Sequence, residues 1–256
     1  MKPNVSRLSE DAGRFRTTSW SVVLLSAQSR MAGSRTALAD LCRLYWYPLY
    51  SFVRRRGYSA EDAQDLTQGF FFSLLEHKSL RQVAPQKGKF RSFLLGSLKK
   101  YLSDQLDREN TMKRGGHIEF VALDFEGGEE RYGEDQGGSL TAEKIYDARW
   151  AMTLLDQAMQ RLWNEYSEQA KAGRLDALQP FLDPINCKRL PSYEEVADEL
   201  DVSLGGVKTL IHRLRKRYGE ILREEVARTV TDEQSVDEEI HALCEALIAS
   251  EGRLGP

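Results

Sequence analysis

The sequence predicts an all-α chain of two helical domains joined by a flexible acidic linker. Three observations carry this. Apolar residues recur at three- and four-residue spacing through most of the chain, the period of one helix face. Alternation of the β type is nearly absent, with 118–125 the one weak candidate. The glycine pairs Gly115-Gly116, Gly127-Gly128 and Gly137-Gly138 fall in or beside one acidic stretch with few aliphatic residues, the composition of a linker. The expected divisions are an N-terminal segment over 1–34, a helical domain over 35–109, the linker over 110–142, a second helical domain over 143–226 and an acidic extension over 227–256.

The first domain begins with an aromatic helix carrying Tyr45, Trp46, Tyr47, Tyr50 and Phe52. It ends in Arg54, Arg55 and Arg56, cations suited to a helix C-terminus, and Gly57 marks the stop. Ser59, with Asp62 three residues later, approximates a capping box for the next helix. Ala63, Leu66, Phe70 and Leu74 form that helix's inner stripe. Glu61, Asp65, Gln68 and Phe72 lie on another face, either solvated surface or a surface for a partner. A third helix starting at Phe90 turns Phe90, Phe93, Leu94, Leu98, Tyr101 and Leu102 to one side and Ser92, Lys99, Lys100 and Ser103 to the other. A basic helix with aromatic neighbours suits phosphate contact and stacking on an opened strand, while Phe90, Phe93 and Leu98 themselves read as core.

The second domain begins with a long amphipathic helix. Trp150, Leu154, Ala158, Leu162 and Tyr166 recur every four residues, and Leu155, Met159 and Trp163 widen the stripe. The segment 192–217 then carries the clearest motif of the chain. Ser192 caps a short helix with Glu194 and Glu195 in its first turn, and Val196, Ala197 and Leu200 face inward. Asp201-Val202 makes the turn, at a position where glycine is common. Ser203 caps a second helix in which Val207, Leu210, Ile211 and Leu214 recur at helical spacing. This is a helix-turn-helix, the unit that lays its second helix in a DNA major groove. The outer face of that helix offers Lys208, Thr209, His212, Arg213, Arg215, Lys216 and Arg217. With the cap Ser203 they are the candidate recognition-helix residues, the first half toward base edges and the basic end toward phosphates.

The whole chain carries a net charge of -3 over 256 residues, which by itself disfavours a nucleic-acid binder. The distribution points the other way. Residues 81–116 hold nine Lys/Arg against three Asp/Glu, and 205–223 hold six against one. Acidic blocks over 119–147 and 224–256 each hold two Lys/Arg against nine Asp/Glu. Opposite blocks in one chain raise the expectation that the acidic segments mask the basic helices; a plain solubilising surface plus one packing helix through Val236, Ile240, Leu243 and Leu247 is the alternative.

Catalysis has little support. Ser97-x-x-Lys100 matches a penicillin-binding pattern formally, but Ser103-Asp104 is followed by Gln105 and Lys208-Thr209 by Leu210. No Walker loop or dinucleotide fingerprint occurs. His77, His117, His212 and His241 lack metal spacing, and Cys42, Cys187 and Cys244 form no C-x-x-C pair. No cofactor, metal or catalytic group is expected. The apolar run 20–27 is too short to cross a membrane and lacks the flanks of a signal peptide, so a cytoplasmic protein with no membrane partner is expected.

Together these tracts resemble a known family. Leu44-Tyr45 through Phe52, Glu61-Asp62-Ala63-Gln64-Asp65-Leu66-Thr67-Gln68, and Phe90-Arg91-Ser92-Phe93-Leu94 through Asp104 to Arg108 are similar to the second conserved region of extracytoplasmic-function sigma factors. Residues 150–223 resemble their fourth region. The chain looks similar to a longer group of these factors, with Thr17-Thr18-x-Trp20 near the start and an acidic C-terminal extension. The resemblance implies a non-enzymatic transcription initiation factor whose partners are core RNA polymerase and promoter DNA, with room for an anti-sigma factor or other regulator. It implies that Asp62, Asp65, Leu66 and Gln68 dock on polymerase. Arg91, Lys99, Lys100, Tyr101 and Arg108 would then contact the minus-ten element, and the helix bearing Lys208 to Arg217 the minus-thirty-five element. The competing reading is a helix-turn-helix regulator that never binds core polymerase.

Overall fold

A computed structural model describes residues 32–76, 89–111, 140–169, 171–182, 189–230 and 234–250, together with Glu129, Tyr132, Asp232 and Leu254. The N-terminal segment up to residue 31, most of the linker and the Arg108 side chain lie outside the described residues. The described chain is all-helical and contains no strand. In order it forms α1 (Ala32–Arg55), α2 (Ala60–Glu76), α3 (Phe90–Thr111), α4 (Ala142–Glu168), α5 (Ala172–Leu178) followed by a 3-10 turn (Gln179–Phe181), α6 (Tyr193–Leu200), α7 (Leu204–Ala227) and α8 (Ser235–Ser250).

Local chemistry sets the helix ends. At the end of α1, Gly57 takes φ 95°, a left-handed turn open to glycine, and its N–H reaches the Arg54 carbonyl at 3.0 Å. Ser59 Oγ accepts the Asp62 N–H at 3.0 Å and donates to the Asp62 carboxylate at 2.7 Å, starting α2. Thr141 caps α4 through the Lys144 N–H at 3.3 Å. The first turn of α3 is held by a distant stretch of chain: the Phe90 N–H donates to the Thr229 carbonyl beyond α7 at 3.1 Å.

The organising element is α4, whose two halves enter different cores. Its first half gives Ala142, Tyr146, Trp150, Ala151 and Leu154 to a core built with α1, α2 and α3, with Val226 and Val230 from the end of α7, and with Val236 and Leu243 from α8. Trp150 is fully buried, with its ring stacked on Tyr45 at 4.2 Å between centroids, and Tyr45 meets Phe90 edge to face at 5.2 Å. The second half gives Ala158 and Leu162 to a core with Leu175, Leu178, Phe181, Val196, Val207, Ile211, Leu214 and Ile221.

The two cores therefore divide α4 between them. The first half of α4, placed by sequence in the second domain, completes the core of the first. The acidic extension joins it through α8, whose apolar face packs against α4. The physical reason is length. A 27-residue helix spans about 40 Å at 1.5 Å per residue, more than one small core can cover.

Candidate nucleic-acid interface

The helix-turn-helix is built by two caps and one left-handed residue. Ser192 and Glu195 form a reciprocal capping box: the Ser192 hydroxyl accepts the Glu195 N–H at 3.1 Å and the Glu195 carboxylate accepts the Ser192 N–H at 2.8 Å. That N–H, and Arg189 beside it, hold the Glu195 carboxyl below its ordinary pKa. Asp201 then takes φ 51°, ψ 53°, a conformation that a short polar side chain tolerates better than most. The Val202 N–H closes back on the Ala197 carbonyl at 3.0 Å. Ser203 accepts the Gly206 N–H at 3.1 Å and starts α7. A Cβ on Gly206 would meet the Val202 Cβ at 3.3 Å, so the small residue lets α7 begin tight against the turn.

Val207, Ile211, Leu214 and Ile221 anchor the inner face of α7. Opposite them, Lys208, Thr209, His212, Arg213, Arg215 and Lys216 are exposed, as is the cap Ser203. These residues are in different states. The side chains of His212, Arg213 and Lys216 make no hydrogen bond or ion pair among the described residues. Lys208 Nζ lies 6.0 Å from the centre of the Tyr193 ring. The Thr209 hydroxyl donates back to the Gly205 carbonyl at 2.9 Å. Arg215 donates from Nε and Nη2 to the Phe181 carbonyl at 3.2 and 2.9 Å, tying α7 to the 3-10 turn.

Arg217, part-exposed, is paired with carboxylates of the chain itself. Its Nε and Nη2 hold the two oxygens of Glu165 on α4 at 2.8 and 2.6 Å, and Nη1 reaches Glu220 at 3.2 Å. Those bonds raise its already high pKa, and they hold Glu165 below the ordinary carboxylate range. Arg161 extends the network to Glu224 at 2.5 Å and to the buried Glu225 at 2.9 Å. Arg217, expected from sequence at the phosphate-facing end of the helix, clamps α7 to α4 here while its part-exposed side chain also lines a cleft between α4, α5 and α7.

Of the first basic island, Lys89, Arg91, Lys99 and Lys100 are the cations whose side chains are described, and they differ in their surroundings. Arg91 was expected on a DNA face; instead it is buried at 8% exposure. Its Nε meets Glu239 of α8 at 2.5 Å, and its Nη1 pairs with Asp147 of α4. Lys89 holds the other Glu239 oxygen at 2.7 Å. Burial drives the Asp147 carboxyl above its ordinary pKa despite the guanidinium beside it. Lys99 pairs with Glu143 at 2.7 Å, both half-exposed, and lies 5.6 Å from the centre of the Phe52 ring. Tyr101 is half-buried against Phe70, and Lys100 is exposed, its ammonium making no hydrogen bond or ion pair among the described residues. Glu129 reaches back from the linker to Arg54 at 2.6 Å and to the Tyr50 hydroxyl at 2.5 Å.

On α2, Asp62 and Asp65 are exposed and Leu66 is half-buried, with Phe72 half-exposed at 51% on the same helix. Gln68 is buried at 7%, so its expected place on a docking face is corrected: it faces the core.

One feature escaped sequence reasoning. A cleft of about 280 Å³ opens between the end of α4, α5 and α7, lined by Glu165, Tyr166, Gln169, Lys171, Arg174, Leu210, Arg213 and Arg217. Arg174 belongs to a helix of only seven residues and Lys171 is its N-cap; the helix is too short to show a periodic face, and nothing local links the two to Arg213.

Comparison with family models, with curated proteins and with solved structures returned no match. Among the described residues, no helix is long and apolar enough to cross a membrane.

Proposed function

We propose that the protein is a sigma-type transcription initiation factor of the cytoplasm, which binds core RNA polymerase and directs it to promoter DNA without catalysis or cofactor of its own. The observation that carries the DNA-binding part is the capped helix-turn-helix, whose second helix turns His212, Arg213 and Lys216 to solvent with no competing partner among the described residues. A helix seated this way offers its first turns to base edges in a major groove and its cations to phosphates. The polymerase part rests on the family resemblance of α2 and α3 and on the exposed Asp62, Asp65 and Phe72.

A second reading has an observation in its favour. Gln68 and Arg91, one of the four residues expected for polymerase docking and one of the five for minus-ten contact, are buried, as suits a helix-turn-helix regulator that does not bind polymerase. Co-elution with bacterial core RNA polymerase, with an Asp65→Lys variant alongside, separates the two. Wild-type co-elution that the variant loses supports the sigma reading. A wild type that binds duplex DNA but never co-elutes supports the regulator.

A further inference from the structure

The cationic residues of α7 divide into three strips by helical position. With the buried stripe of Val207, Ile211 and Leu214 facing the core, Thr209, His212 and Lys216 form the opposite ridge. Lys208 lies on one flank, beside Tyr193 of α6. Arg213 and Arg217 lie on the other flank, where they wall the cleft shared with α4 and α5. A helix about 10–12 Å across fills a major groove about 12 Å wide. Its ridge then meets base edges and its flanks meet the two phosphate strands.

The cleft is electrostatically open on that flank. Four cations, Lys171, Arg174, Arg213 and Arg217, face one carboxylate, Glu165. That carboxylate is already taken, both of its oxygens being held by Arg217, so it adds no free negative charge to the mouth. Lys171 Nζ touches only the neutral Gln169 amide oxygen, at 2.8 Å. The Arg174 and Arg213 side chains make no hydrogen bond or ion pair among the described residues. Three cations, from α5 and its N-cap and from α7, thus converge on one space without a counter-ion. A surface that simply solvates its charges spreads them apart; convergence suits an anion with several oxygens, which guanidinium forks and an ammonium can share.

We propose that Lys171, Arg174 and Arg213 form a seat for a backbone phosphate of duplex DNA, so that α5 belongs to the DNA interface. The proposal rests on the DNA-binding reading of α6 and α7 and extends it to an element outside the helix-turn-helix. The phosphate carries no sequence information, so this contact sets position and affinity while the ridge of α7 sets preference.

The test measures binding of the full-length protein to a mixed-sequence duplex by fluorescence anisotropy across a salt series. The proteins are the wild type, a Lys171→Ala/Arg174→Ala double variant, and Lys144→Ala as a charge control on the exposed start of α4. Neither Lys171 nor Arg174 is buried, and circular dichroism checks that each variant is folded. Each phosphate neutralised contributes about 0.9 to the slope of log K against log salt. The double variant should lose about 0.9 of that slope, and Lys144→Ala should keep the wild-type slope. A double variant with the wild-type slope, in a protein that binds the duplex, overturns the seat and leaves the helix-turn-helix standing. A wild type that binds no duplex at any salt overturns the DNA reading and the seat with it. Inorganic phosphate at matched ionic strength separates the two sources of the anion: phosphate binding that depends on Lys171 and Arg174 while the duplex slope stays unchanged would place a free anion there instead.

Discussion

Glu239→Gln is the sharpest test of how the chain closes on itself. Glu239 lies in α8 with its side chain fully buried, and it holds Arg91 Nε at 2.5 Å and Lys89 Nζ at 2.7 Å. Those cations stand at the start of α3, and the Arg91 bond spans 148 residues of sequence. Glutamine keeps the shape and removes the charge, which leaves the buried guanidinium with Asp147 alone. Breaking one partner of a buried pair costs about 3–5 kcal/mol. Asp147 stays in place, and Lys89, with its side chain 31% exposed, can turn to water, so the loss should sit near the low end, about 3 kcal/mol. For a chain of this size that lowers Tm by about 6–12 °C. Urea unfolding followed by circular dichroism should show a lower midpoint at an unchanged slope. Replacing both partners, Arg91→Met with Glu239→Leu, should recover part of the loss, because the buried guanidinium leaves with its buried carboxylate and the groups left unpaired, Asp147 and Lys89, are part-exposed and can turn to water. A midpoint for Glu239→Gln within error of the wild type would refute the buried cluster.

Three further outcomes follow from the same physics. Trp150→Ala empties the space between Tyr45 and the first core and should cost about 3–5 kcal/mol, read as a lower urea midpoint. Asp201→Gly relieves a left-handed non-glycine residue and should raise stability by up to about 1 kcal/mol, read as a higher Tm; a fall would mean the Asp201 side chain secures the turn. Glu165 has a folded pKa below its ordinary value of 4.5 because Arg217 binds the carboxylate. Its contribution is therefore present above pH 4.5 and lost as pH falls through the folded pKa. Glu165→Gln should lower the urea midpoint at neutral pH and shrink the acid-side decline; an acid limb unchanged from wild type would contradict the clamp.

What the sequence makes legible is what depends on near neighbours. The stripe from Trp150 to Tyr166 is one helix because the period is local. The helix-turn-helix is readable because its caps, Ser192 and Ser203, lie three residues from the groups they bind. Even the αL turn at Asp201 is placed by its neighbours, although the residue type alone is a weak signal. What the sequence hides are pairings set by distant chain. Arg91 looks like an outward cation on a basic helix, and nothing within a helical turn of it shows that Glu239 and Asp147 will surround it. Gln68 looks polar and therefore exposed, yet the fold turns it to the core. Lys171 and Arg174 acquire a setting only when α5 is set beside α7.

The two basic islands have different fates, and the difference decides how the acidic segments should be tested. In the first island, Lys89 and Arg91 are held by Glu239, Arg91 also by Asp147, and Lys99 by Glu143. In the second, the acids reach the far end of α7, where Glu165 and Glu220 hold Arg217 and Asp237 holds Arg223. His212, Arg213 and Lys216 stay open among the described residues. Contact between the acidic extension and the first island is thus part of the fold's closure, not a loose electrostatic cover. Deleting 227–256 would remove Val230, Val236 and Leu243 from the first core together with Glu239, so a change in DNA affinity after that deletion would mix exposed charge with lost stability. Glu239→Gln removes the charge and leaves the apolar face of α8 in place. A gain in duplex binding with that variant, measured where it is still folded, would show that the α3 cations are held back by α8; unchanged binding would leave the cluster a purely structural contact and DNA affinity with α7.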